Sequence, residues 1–294
     1  MVHSCPSLTT VLNAVPSAPQ ARESAYDCPR THERRSAIPL FNPRCPVRER
    51  ERTWIEESIE WLRREFGVAP LNVPVILPTS EYFPPPFAGS DADVRALVRS
   101  VARYMGVQAD VDVQFSEDLD EAENFRRLFP GGMGTFRSSG AAGVYTDADE
   151  DGLHVVTIDR SNVGEPARLL AVIAHELAHV RLFGERRMSP DRQDHEPLTD
   201  LATVYLGMGI FTANAAFSFG RISWSVIEPA GGWQSRRLGY MTEQMFGYAL
   251  ARYAVYRGEL DPAWAKYLDT NPRVYMKQGV RYVRHTDRLV DYQW

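Results

Sequence analysis

Two histidines four residues apart flank a glutamate in Ala171-Val172-Ile173-Ala174-His175-Glu176-Leu177-Ala178-His179-Val180, an HExxH pattern. Shuffling this composition would produce the pattern in roughly one such chain per hundred. The surrounding residues add to it: Leu169, Leu170, Val172, Ile173, Leu177, Val180 and Phe183 predict a mostly buried helix over about 166 to 183, with Gly164 and Pro166 as start signals and Gly184 as the stop. On that helix the two imidazoles project from one face, one turn apart, and reach a single zinc ion. Glu176 then stands beside the metal, where a carboxylate takes the proton of a zinc-activated water. The bland alternative is a pair of core histidines satisfied by local carbonyls. It leaves two imidazoles and a carboxylate in an aliphatic helix with a desolvation cost and no partner in sight, a cost that a metal offsets.

A third ligand is needed, and Asp194-His195-Glu196-Pro197-Leu198-Thr199-Asp200 begins 15 residues after His179. Asp194 is a candidate N-cap and Pro197 fits a first helical turn, so a second helix is expected over about 195 to 211, with Glu196 and Asp200 on one face. Glu196 and His195 both compete for the third ligand position.

HExxH on one helix followed by ExxxD on the next resembles the gluzincin branch of the zincin metallopeptidases, and Glu196-Pro197-Leu198-Thr199-Asp200 fits that second motif. The resemblance covers about 165 to 211 by motif and reaches back to about 140 by element order. It implies Glu196 as the third zinc ligand beside His175 and His179, Asp200 as the acceptor that orients a ligating histidine, and Glu176 as catalytic base. It also implies a downstream Tyr, His or Arg holding the oxyanion. Tyr240, Arg237 and His285 are candidates, of which Tyr240 is taken here. Gly143-Val144-Tyr145 and His154–Asp159 read as paired strands about the acidic turn Asp147 to Gly152. In zincins the strand before the metal helix is an edge that adds an extended peptide, so 154 to 159 is either that edge or ordinary sheet, and His154 either a site or a surface residue.

The elements that must carry this site follow from periodicity. Trp54, Ile55, Ile59, Trp61, Leu62 and Phe66 mark an amphipathic helix from about Arg48 to Gly67; Val94, Leu97, Val98, Val101 and Tyr104 mark another at about 91 to 105. Val73 to Leu77 and Val111 to Phe115 are strand candidates, and the glycine-rich stretch 131 to 143 reads as a turn without a nucleotide-binding pattern. A helix is expected from about 239 to 256, in which Glu243 is either solvated or at the site. Trp224, Trp233, Tyr248 and Tyr253 are better explained as core, and 275 to 283 as helix or strand. Residues 1 to 48, rich in Pro, Ser, Ala and Arg, read as a disordered tail. That tail holds all three cysteines, Cys5, Cys28 and Cys45, in spacings unlike those of structural zinc sites.

With 33 basic and 38 acidic side chains the formal charge is −5, which provides no global field for nucleic acid or an anionic membrane. No signal-peptide pattern or membrane-length apolar run is visible, so a cytoplasmic location is expected. Motifs and element order together predict an α+β, zincin-like domain over 49–294: a short mixed sheet packed on the HExxH helix and a helical C-terminal half. The expected function is that of a zinc metalloprotease, a hydrolase whose partner is a peptide or protein substrate. The alternatives are a zincin-fold regulatory protein without turnover and a structural zinc protein whose site is closed by a fourth ligand such as His195.

Overall fold

The computed structural model describes residues 42–117, 137–140, 143–146, 153–189, 191–223 and 241–287. The compact unit that carries them runs from Phe41 to Trp294. It is mixed α+β and mostly helical. The elements are α1 (Glu49–Phe66), the single turn α2 (Ala69–Asn72), α3 (Asp91–Met105), β1 (Val111–Ser116), β2 (Arg137–Gly140), β3 (Gly143–Thr146), β4 (His154–Asp159), α4 (Pro166–His179), α5 (His195–Tyr205), α6 (Gly209–Ser223), α7 (Glu243–Tyr256) and α8 (Thr270–Asp287).

The four strands lie in the order β1-β4-β3-β2, with β1 and β4 parallel and the other pairs antiparallel. The expected pairing of 143–145 with 154–159 is present, Tyr145 standing opposite Val156. β4 is therefore interior, flanked on both sides, and the edge-strand reading of 154 to 159 gives way to ordinary sheet. Its burial agrees, since Val156 and Ile158 are fully buried.

From Leu169 to His179 α4 is buried on every side and is accordingly the central helix, touching α3, α5, α6, β3 and β4. After His179 it widens into a π-helical turn, Val180–Gly184, ending at the expected glycine. The helix expected over 195 to 211 is two helices. Gly207, at φ +87°, takes the left-handed conformation that ends α5, and the chain turns so tightly that a Cβ on Gly209 would lie 2.9 Å from the Val204 backbone. Asp194 is not a side-chain cap. Its carboxylate accepts from Trp54 Nε1 at 2.7 Å and Arg192 Nε at 2.6 Å, latching α1 to the start of α5.

Val73 to Leu77 joins no sheet, because Pro74 and Pro78 each lack the N–H a ladder needs; Ile76 N–H donates instead to Gly207 O at 3.2 Å. Tyr248 and Tyr253 are core, as expected, and 275 to 283 is helical within α8. Glu243 accepts from Asn271 Nδ2 at the surface. The stretch 131 to 143, read as a turn, contains strand β2 at Arg137–Gly140, paired with β3. The rest of it up to residue 142, with Trp224, Trp233, the turn Asp147 to Gly152, and residues 1–41 with Cys5 and Cys28, lies outside the described residues. No helix among the described residues is long and apolar enough to cross a membrane.

The packed chain begins before residue 49. Val47 is buried, Cys45 packs against the core, and Arg44 O accepts from Gln278 Nε2 at 3.1 Å. Burying a valine contributes about 1.5–3 kcal/mol. A chain starting at residue 49 is therefore expected to melt about 3–10 °C below one starting at 42, by calorimetry on both. Equal melting temperatures would remove 42–48 from the fold.

Candidate metal centre

α4 and α5 cross so that three donors converge. His175 Nε2 lies 3.1 Å from both His179 Nε2 and Glu196 Oε2, and His179 Nε2 lies 3.6 Å from Glu196 Oε2. A tetrahedral ion with bonds of 2.0–2.1 Å separates its ligands by about 3.3 to 3.4 Å, so the three donors stand at the spacing of one coordination sphere. Among the described residues, His175, His179 and Glu196 are the group that could hold a metal ion.

Both imidazoles are fixed in the tautomer such an ion needs. His175 Nδ1 is 2.9 Å from Asp200 Oδ1, and a carboxylate only accepts, so Nδ1 carries the proton and Nε2 its lone pair. Asp200 is itself held by the Met241 N–H, 2.9 Å from Oδ2. Thr199 does the same for His179. Its hydroxyl donates to His195 O at 2.8 Å, so its oxygen accepts from His179 Nδ1 at 3.2 Å. With both Nδ1 atoms bonded outward, the two Nε2 atoms face each other with no donor between them unless a proton or a cation intervenes.

In the protein alone a proton serves. Burial opposes charge on His175, but the hydrogen bonds and charges of Asp200 and Glu196 outweigh it and raise its pKa well above the ordinary value. Burial drives His179 down to about 4, so it is neutral. Burial also opposes the Glu196 charge, yet the surrounding imidazoles hold that carboxyl well below its usual range. A metal ion bound here would replace that proton with a cation able to satisfy all three donors.

Glu176 lies next to the cluster and outside it. It is 1% exposed; the Tyr145 backbone N–H bonds its carboxylate, and Oε2 has no hydrogen-bond partner among the described residues. Burial pushes this carboxyl up to about 8. A buried carboxylate oxygen without a partner is costly. In the protein alone Glu176 therefore keeps its proton at neutral pH, held by one oxygen and open at the other; a cation bound beside it would favour the carboxylate and make it a base.

His195 does not join the donors. Its Nδ1 is 3.0 Å from Arg192 O and its Nε2 is 3.4 Å from Glu196 Oε1, the oxygen turned away from the histidine pair. It braces Glu196. Tyr240 and Arg237 lie outside the described residues, although Met241, next to Tyr240 in the chain, is bonded to Asp200. His285 is in the last turn of α8, and none of the hydrogen bonds described here reaches it.

The sequence reading gave no role at the site to Thr199 or Tyr145 and left His154 open. Thr199 stands within the Glu196–Asp200 turn, and a hydroxyl between two candidate metal-site residues was the available signal. Tyr145 lies against the His179 ring at 6.0 Å and 16°, with Phe183 also stacked on that imidazole at 5.7 Å and 13°. His154 is buried rather than at the surface, its Nδ1 3.1 Å from the Tyr145 hydroxyl. Compared with known proteins, the chain matches no family model, no curated protein and no solved structure.

Proposed function

We propose that the chain is a zinc metallopeptidase of the gluzincin type, with His175, His179 and Glu196 holding zinc. The observation that carries this reading is the buried Glu176 carboxylate, open at Oε2 beside three donors already turned toward one point. Bound zinc supplies Lewis-acid polarisation of a carbonyl and lowers the pKa of water toward about 7. Glu176 takes a proton from the attacking water as its oxygen bonds to the scissile carbonyl carbon. The same carboxyl then delivers that proton to the amine nitrogen as the C–N bond breaks. Tyr145 N–H steadies the carboxylate through both transfers. Tyr240 keeps the oxyanion role that the resemblance gives it.

The structural-zinc alternative requires a fourth protein donor. His195 Nε2 faces the far oxygen of Glu196 and would have to abandon it, which favours a site with an open position. For the test, zinc-loaded protein is incubated with a broad peptide library and the products are read by mass spectrometry. Cleavage is expected, lost with 1,10-phenanthroline and restored by added zinc. A spectroscopic cobalt substitution showing four protein donors and no exchangeable water would overturn the reading.

Thr199 gives a second check that needs no substrate. Thr199→Val removes the acceptor for His179 Nδ1 and is expected to weaken zinc binding about 10–100-fold in competition with a chelator. Thr199→Ser restores it. Equal affinities in all three proteins would remove the hydroxyl from any orienting role.

A further inference from the structure

Away from the metal centre, β1 forms one edge of the sheet, and a groove of about 540 Å³ runs between it and α3. The parallel ladder fixes which β1 groups face the groove. His154 N–H donates to Asp110 O, so the even-numbered residues pair with β4, whereas the N–H and C=O groups of Val111, Val113 and Phe115 point outward. No hydrogen bond engages that outer edge among the described residues. Natural sheets rarely leave such an edge bare beside a concavity, because it is a template for another strand.

The opposite wall carries arginines at a fixed interval. Arg95, Arg99 and Arg103 are spaced four apart on α3, and all three line the groove. Arg95 is engaged with Asp112 at 3.4 Å and lies over the Phe115 ring. Arg99 and Arg103 are exposed and form no ion pair among the described residues, with Asp110 the remaining acidic group lining the groove. Since Arg95 meets 112 and 115 while the chain reverses at 106–110, α3 and β1 run side by side in opposite directions. Four helical residues rise about 6 Å, close to the roughly 6.7 Å between same-face side chains of a strand.

We infer that this groove docks an extended peptide segment with acidic residues at alternate positions, added as a strand to the β1 edge, with its carboxylates on the α3 arginine row. Backbone pairing supplies the affinity, and the spacing of the arginines selects the alternation. A polyanion such as single-stranded nucleic acid fits less well, because Asp110 and Asp112 line the same groove and the strand edge offers amide pairing that phosphates cannot complete. The inference does not depend on zinc or on hydrolysis.

The probe is a fluorescein-labelled acetyl-(Glu-Thr)4 amide, followed by anisotropy against the full chain. Saturable binding is expected. It weakens at least fivefold in Arg99→Glu/Arg103→Glu, and in the milder Arg99→Ala/Arg103→Ala, with melting temperature and zinc content unchanged. The same peptide N-methylated at every second amide also binds at least fivefold more weakly, and (Lys-Thr)4 does not compete. Absence of saturable binding, a smaller effect from either the arginine or the N-methyl change, or tighter binding of an oligothymidylate overturns the inference.

Discussion

Glu176→Gln is expected to keep its zinc and its fold while peptide hydrolysis falls by roughly 10²-fold or more, the range for loss of a general base. The substitution preserves size and leaves an amide oxygen to accept the Tyr145 N–H. What it removes is the capacity to take a proton at the position of the open Oε2. It also places an amide NH2 where the buried Oε2 has no partner among the described residues, so a modest fall in melting temperature is expected alongside full zinc content. Turnover on a library-derived peptide, zinc by elemental analysis and a thermal melt are measured on the same preparation. If the Gln protein cleaves as fast as wild type with full zinc, Glu176 is not the base and the mechanism is wrong. If zinc is lost as well, Glu176 belongs among the ligands.

Loss of a ligand should have the other large effect. His179→Ala and Glu196→Ala are each expected to purify with well under half an equivalent of zinc, and to lose activity with it, where wild type retains one equivalent after dialysis. Three protein ligands hold a catalytic zinc, and removing one leaves two donors and solvent. His175→Ala should behave likewise, but it also strips Asp200 of its imidazole partner in a fully buried setting, so a drop in melting temperature accompanies the metal loss. His195→Ala should retain most of its zinc, because its ring contacts the far oxygen of Glu196 and not the point where the donors meet. Retention of a full equivalent in Glu196→Ala together with loss in His195→Ala would install His195 as the third ligand.

The order of these two ligand candidates shows how far the sequence reaches. The i, i+4 histidines were legible because a helix has one period, and the aliphatic residues around them left no other conformation for that stretch. Periodicity likewise placed α1 and α3 to within a residue or so, and put 143–145 against 154–159. It failed where the competing cause was not periodic. Val73 to Leu77 has the composition of a strand but not the donors. One left-handed glycine at 207 divided what reads as a continuous helix. Val47 and Cys45 carry no pattern of their own, yet Val47 joins the core, Cys45 packs against it, and Gln278 bonds the neighbouring Arg44 carbonyl.

What the sequence determined by itself was the chemical inventory: two imidazoles and a carboxylate on one helical turn, and a second acidic pair one helix later. Those are local facts, fixed by bond geometry and helix pitch. Only the tertiary structure decided how they are used. The crossing of α4 and α5 brought Glu196 Oε2 to 3.1 Å from His175 and turned His195 aside. β3 put a backbone N–H on Glu176 and an aromatic face on His179, and Met241, from beyond both motifs, locked Asp200. These contacts join residues about 20 to 40 positions apart in sequence, and a hydrogen bond's direction depends on where whole elements pack. No spacing rule in the sequence encodes that packing, because it is set by burial of the aliphatic faces around α4 and not by the polar residues that the packing brings together.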